Sequence, residues 1–97
     1  MKAIMFNRVL LRIKERVRKR EYVMTPHARK EMNSDELTIY DVERGLLTGK
    51  IVGRQRDRGT AEWKYRIKGV TMDRNGVEII AKTSPTGKLV IITVYLS

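Results

Sequence analysis

Lys88-Leu89-Val90-Ile91-Ile92-Thr93-Val94-Tyr95-Leu96 is the longest near-continuous run of β-branched residues in the chain, and the fold is read outward from it. A strand of this composition needs cover on both faces, or nearly so. Side chains alternate along a strand, so Val90, Ile92, Val94 and Leu96 point one way and Leu89, Ile91, Thr93 and Tyr95 the other. Only the second set carries hydroxyls. The all-aliphatic set is expected beneath helices, and the Thr93/Tyr95 set on a face whose far end opens onto the working surface.

The residues just before this run supply its neighbours. From Lys50 the hydrophobic period is two, and residues 50–56, 62–70, 77–82 and 88–96 read as strands separated by turn-like stretches at 57–60, 73–76 and 84–87. This predicts a meander of four antiparallel strands. In the second strand Trp63, Tyr65 and Ile67 fall on one side and Lys64, Arg66 and Lys68 on the other. Three cations in a row admit two readings. One is a solvent-facing edge strand shielded by lysine; the other is a central strand whose cations share the open face with Thr93 and Tyr95.

The first half of the chain supplies the helical cover. Phe6, Val9, Leu10, Ile13 and Val17 recur at three- and four-residue intervals, which predicts a helix over 4–20 with one apolar stripe. Its opposite face is basic, with Arg8, Arg12, Arg16, Lys19 and Arg20, and Glu15 is spaced to pair with Lys19. Residues 22–24 form a short extended piece, suited to an edge strand. Thr25-Pro26 then starts a short helix over 26–33, Thr25 capping the free amides and Pro26 taking the first helical position. Ala28 and Met32 face inward. Thr38, three residues before Asp41, opens a helix over 38–48 as a capping box. Ile39, Val42, Leu46 and Leu47 form its inner face, and Gly49 suits a left-handed end residue. The expected fold is a single α+β domain over 1–97, with N-terminal helices packed on one face of a four-stranded antiparallel sheet.

Composition narrows the function. At 97 residues, 41% of them hydrophobic, the chain can bury a modest core without crosslinks. It has no cysteine and one histidine, which excludes a disulfide framework and a zinc cluster and is compatible with a reducing, cytoplasmic compartment. Neither a signal nor a transmembrane stretch is expected, since the longest apolar run is far below the ~18–20 residues needed to cross a bilayer. The 21 basic and 11 acidic side chains leave a net charge of +10, which favours a polyanionic partner, nucleic acid first. The charge is segregated: seven cations lie between Arg8 and Arg20 and seven between Lys50 and Lys68, whereas five acids and no base lie between Glu31 and Glu43.

No Gly-rich phosphate loop, nucleophile elbow or metal-ligand cluster is present. Glu62-Trp63-Lys64 matches the acid-x-lysine of metal-dependent nucleases only superficially. His27 is the more telling residue. It falls in a first helical turn, where a neutral imidazole can serve as a general base, and where the bland alternative is a hydrogen bond to a neighbouring loop. RNA cleavage without metal needs a base for the 2′-hydroxyl, an acid for the leaving oxygen and cations for the charged phosphorane.

Thr25-Pro26-His27-Ala28, Glu31-Met32, Asp35, Leu37-Thr38, Asp41-Val42-Glu43, Leu47, Gly49, Ile51-Val52, and Gly87 with Leu89 to Tyr95 together resemble a large family of small prokaryotic proteins of unassigned function. That family is similar to RelE-like and MqsR-type ribonuclease toxins, often paired with a zinc-finger antitoxin. The resemblance implies a RelE-like antiparallel sheet backed by helices, and an mRNA endonuclease, ribosome-dependent or free. Of the family's marked positions, His27, Thr93 and Tyr95 are present. Many relatives carry arginines in the short helix after the histidine, where this chain has Glu31 and Asp35. If those arginines bind phosphate, Lys64, Arg66 or Lys68 takes over here, or catalysis is lost and binding kept.

The expectation is a toxin-like, metal-independent endoribonuclease with no cofactor. His27, Tyr95 and Arg66 are its catalytic candidates, and Lys64, Lys68, Thr93, Arg54 and Arg56 its RNA contacts. The alternatives are a non-catalytic RNA- or ribosome-binding module of the same fold, and a basic domain that meets an acidic protein.

Overall fold

The computed structural model describes residues 2–97, with side chains from residue 6 onward. Three helices and five strands follow the order α1 (Lys2–Arg18), β1 (Tyr22–Met24), α2 (Pro26–Ser34), α3 (Ile39–Thr48), β2 (Lys50–Arg56), β3 (Trp63–Val70), β4 (Gly76–Thr83) and β5 (Leu89–Leu96) among these residues. The strands form one sheet of order β1-β5-β4-β3-β2. The fold is α+β, as expected, but the sheet is five-stranded and mixed. The meander β2 to β5 is antiparallel, and β1 adds to β5 in parallel through the pairs Tyr22 with Leu89, Val23 with Val90 and Met24 with Ile91. The extended piece at 22–24 is thus an edge strand, but three residues carry too little periodicity to announce its partner; β1 pairs where β5 offers it a free edge.

The helix boundaries follow local chemistry. Thr25 Oγ1 accepts the Ala28 amide at 3.1 Å, with Pro26 at the first turn. Thr38 and Asp41 form the reciprocal capping box. Two ends depart from the usual glycine. Arg20 and Glu36 take left-handed φ of 57° and 56°. The crossed bonds Glu21 N–H to Arg16 C=O and Leu37 N–H to Met32 C=O close α1 and α2 in the Schellman manner.

Gly49 corrects the sequence reading. Its φ of −82° is not left-handed. A Cβ there would fall 2.5 Å from Ile67 Cγ2, and one at Gly69 would fall 2.0 Å from the Gly45 carbonyl oxygen. These glycines let α3 lie directly on β3.

The core lies between the helices and one face of the sheet. Ile13 and Val17 of α1, Ala28 of α2, and Val42 and Leu46 of α3 meet Ile67, Val77, Ile79, Ala81, Leu89, Ile91 and Val94. Hence the expected facing of β5 is only partly right. Leu89 and Ile91 are buried with Val94, whereas Val90 and Ile92 are half-buried and Leu96 is exposed. The cause is a β-bulge. The register passes from Ile80 with Thr93 to Ala81 with Ile91, leaving Ile92 as the extra residue. One extra residue shifts the phase of alternation, so core facing moves from the odd residues 89 and 91 to the even residue 94. Thr93 and Tyr95 consequently stay on the helix-free face.

Candidate nucleic-acid interface

Pairing settles which face each side chain takes. β3 lies between β2 and β4, so it is an interior strand and not a lysine-shielded edge. Cross-strand partners share a face. Lys68 is opposite Glu78, which is opposite Tyr95, and Arg66 is opposite Ile80, which is opposite Thr93. Lys64, Arg66 and Lys68 thus stand on the open face with Thr93 and Tyr95. Lys50 and Gly53 of β2 extend these rows opposite Lys68 and Arg66.

The guanidinium groups of Arg54 and Arg56 belong elsewhere. Their strand partners Tyr65 and Trp63 alternate with the cationic row. The Arg54 and Arg56 guanidinium carbons lie 4.0 and 4.3 Å from the Trp63 ring centroid, as cation–π contacts. Arg54 is also 6.0 Å from the Phe6 ring. These two arginines cover the end of the helix-side core.

Glu78 organises the open face. Its carboxylate, only 10% exposed, accepts the Tyr95 hydroxyl and lies 3.9 Å from Arg66 Nε. The hydrogen bond to Glu78, aided by burial, holds the Tyr95 hydroxyl above its ordinary pKa. Tyr95 is therefore a neutral hydrogen-bond donor at neutral pH. Toward the hairpin loop, Lys82 pairs with Glu62 at 3.0 Å and Asp57 at 3.4 Å. Glu62 is thus engaged in an ion pair that ties β4 to the β2–β3 hairpin.

At the other side of the face, α2 brings His27 beside the end of β5. His27 is exposed and Nε2 lies 3.2 Å from Glu31 Oε1. His27, Lys30, Glu31, Ser34 and Asp35 line a groove of about 320 Å³ whose far wall is Val94 and Tyr95. His27 and Tyr95, the two ends of the expected site, therefore share a groove, and Glu78 connects Tyr95 to Arg66. The contact of His27 with Glu31 is made one turn along its own helix.

Glu31 and Asp35 have a role the sequence did not disclose. Glu31 Oε1 accepts the Val94 amide at 3.1 Å and Asp35 Oδ2 accepts the Leu96 amide at 3.0 Å. β1 pairs with β5 only as far as Ile91, and past that point α2 satisfies the edge with carboxylates. The spacing permits it: four helical residues rise about 6 Å and two strand residues about 6.8 Å. The i,i+4 acids were the available signal, but it has meaning only once a strand edge lies alongside.

Among the described residues, no three His, Cys, Asp or Glu side chains are grouped to hold a metal ion. No helix among them is long and apolar enough to cross a membrane. No curated protein and no solved structure matches the chain. The family model described as "Domain of unknown function (DUF4258)" matches residues 24–96, from β1 through the His27 groove to the end of β5. That span is more than half of the 97 residues and includes both ends of the groove, and the chain belongs to this family.

Proposed function

We propose that the protein binds single-stranded RNA across the open face and cleaves it without a metal ion, as a toxin-like endoribonuclease of RelE-like architecture. The observation that carries this reading is the placement of the chain's one histidine, exposed, in a groove with Tyr95, at the border of a cationic sheet face. The Glu31 carboxylate orients the imidazole and leaves its second nitrogen for a substrate 2′-hydroxyl. His27 takes that proton, and the 2′-oxygen attacks the adjacent phosphorus and displaces the 5′-oxygen, giving a 2′,3′-cyclic phosphate. Tyr95 gives its one hydroxyl proton to Glu78, so it donates a hydrogen bond to the phosphate only by exchanging that partner, and its raised pKa suits this and not proton transfer. The leaving oxygen then takes its proton from water. Arg66, Lys64 and Lys68 stand on β3, two strands from β5, where they hold phosphates flanking the cleaved one and supply positive charge around the phosphorane.

A second reading, RNA or ribosome binding without cleavage, is favoured by Glu78, whose carboxylate engages both Tyr95 and Arg66. A labelled single-stranded RNA incubated in EDTA separates the two. Cleavage that leaves cyclic-phosphate ends and falls ~10²-fold in His27→Ala, the scale of a lost general base, supports the nuclease. Tight binding without cleavage supports the second reading. As a toxin the protein would be held inactive by an antitoxin, and the excess of cations suits a partner that is acidic where it covers this face.

A further inference from the structure

The opposite end of the open face holds a second pocket, of about 150 Å³, lined by Gly53, Arg54, Gln55, Lys64, Arg66 and Ile80. We infer that it is a subsite for one backbone phosphate of the bound RNA, held by Arg66, Lys64 and the Gln55 amide some distance from the cleaved bond. This rests on the reading that RNA lies across the open face.

Gly53 is the telling residue. A glycine inside a strand weakens it, so it calls for a reason. Backbone strain is not the reason, because Gly87 is the glycine with positive φ and Gly53 is not. Core packing is not the reason either. A Cβ at Gly45, Gly49 or Gly69 would strike core side chains or backbone within 2.6 Å, whereas one at Gly53 would have the Arg66 guanidinium as its nearest neighbour, in ordinary contact at 3.5 Å from Nη2. What the missing side chain provides is clear space in front of that guanidinium. The register break between Ile51 and Gly53 turns this position onto the open face opposite Arg66.

The lining chemistry selects the ligand. Lys64, Arg66 and Gln55 all offer N–H donors, no carboxylate lines the pocket, and Arg66 presents a fork suited to phosphate. Position selects the source. Thr93, Ile80, Arg66 and Gly53 form one transverse row across four strands. Three strand spacings make that row about 14 Å long. A single RNA strand crossing the sheet along it reaches from the His27 groove to the pocket, which a dinucleotide held at the groove does not fill.

The test uses 2′-O-methyl oligonucleotides of two, four and six residues, which cannot be cleaved through the 2′-oxygen, titrated against the full chain by fluorescence anisotropy. Wild-type affinity is expected to rise ~10-fold between two and six residues, the gain from one charge-assisted phosphate contact. Gly53→Val should remove most of that rise and lower the salt slope by about 0.7, the contribution of one phosphate on a single strand. Gln55→Ala should reduce the rise by a few-fold, and because its side chain lies at the surface it guards against a folding artefact in the valine variant. No rise with length in the wild type, or an unchanged rise in both variants, overturns the subsite. Absence of cleavage in EDTA overturns the nuclease instead, and unchanged cleavage in His27→Ala overturns its base; either leaves the length dependence standing, so the two can fail separately.

Discussion

Glu78 places a carboxylate in the middle of the sheet face that carries Lys64, Arg66 and Lys68, and it constrains Tyr95 and Arg66, both assigned above to RNA phosphates. Replacing it by glutamine keeps an acceptor for the Tyr95 hydroxyl and removes the charge facing Arg66. Glu78→Gln should therefore tighten RNA binding several-fold with little loss of stability. Filter binding alongside thermal melting checks this, and weaker binding would show that Glu78 positions Arg66 instead of restraining it. A second residue-scale prediction concerns Tyr22. Burial first, then the hydrogen bond to Glu43, raises its phenol pKa in the folded state. A raised folded pKa means stability that is whole below the unfolded value of about 10 and is lost as pH climbs toward the folded one. Wild-type protein should lose thermal stability more steeply than Tyr22→Phe above about pH 10. Parallel curves for the two proteins would exclude the linkage.

At the scale of elements, α2 acts as the missing partner of β5. Past Ile91 no strand lies on that side; the Thr25 hydroxyl donates to the Ile92 carbonyl, and Glu31 and Asp35 accept the amides beyond it. Glu31→Ala should cost about 1–2 kcal/mol, the usual penalty for a part-buried amide left without its acceptor. Glu31→Gln should recover much of this, since an amide oxygen still accepts. Urea unfolding of the three proteins decides between this edge role and a purely electrostatic one, for which Gln would be as poor as Ala. The end of α2 supplies a prediction of opposite sign. Glu36 holds a left-handed φ of 56°, which strains a residue with a Cβ by about 1–2 kcal/mol, whereas glycine gives up about 0.5–1 kcal/mol in backbone entropy. Glu36→Gly should therefore stabilise the protein by about 0.5–1 kcal/mol, as read from the same urea curves.

At the scale of the whole molecule, the proposed RNA contact has two cationic surfaces to choose between. Lys64, Arg66 and Lys68 form a fixed row on a flat face, while the α1 cations spread around an arc, with Arg16 paired to Glu21 and Lys19 to Glu15. Replacing the three strand cations by alanine should weaken RNA binding more than replacing Arg8, Arg12 and Arg16, and should reduce the salt slope by about 2, three phosphates at ~0.7 each. Equal losses would mean that the charge acts as a diffuse field and that the open face has no special part in binding.

Periodicity and capping chemistry are local, and what they determine was legible without a structure: the three helices, the four long strands, the Thr25 and Thr38 caps, and the separation of Trp63, Tyr65 and Ile67 from Lys64, Arg66 and Lys68. The row of cations and the lone histidine were legible too, but whether that strand was an edge or an interior one was not. What tertiary structure alone decided depends on contacts between distant residues. β1 needed the free edge of β5, and the bulge at Ile92 set which of its side chains are buried. Gly49 answered to Ile67, not to its own φ. Glu31 and Asp35, which read as a departure from phosphate-binding arginines, acquired a role only when β5 came alongside. The link from Tyr95 through Glu78 to Arg66 joins three strands, and no pattern within one strand can announce it because hydrogen-bond partners across a sheet are chosen by register.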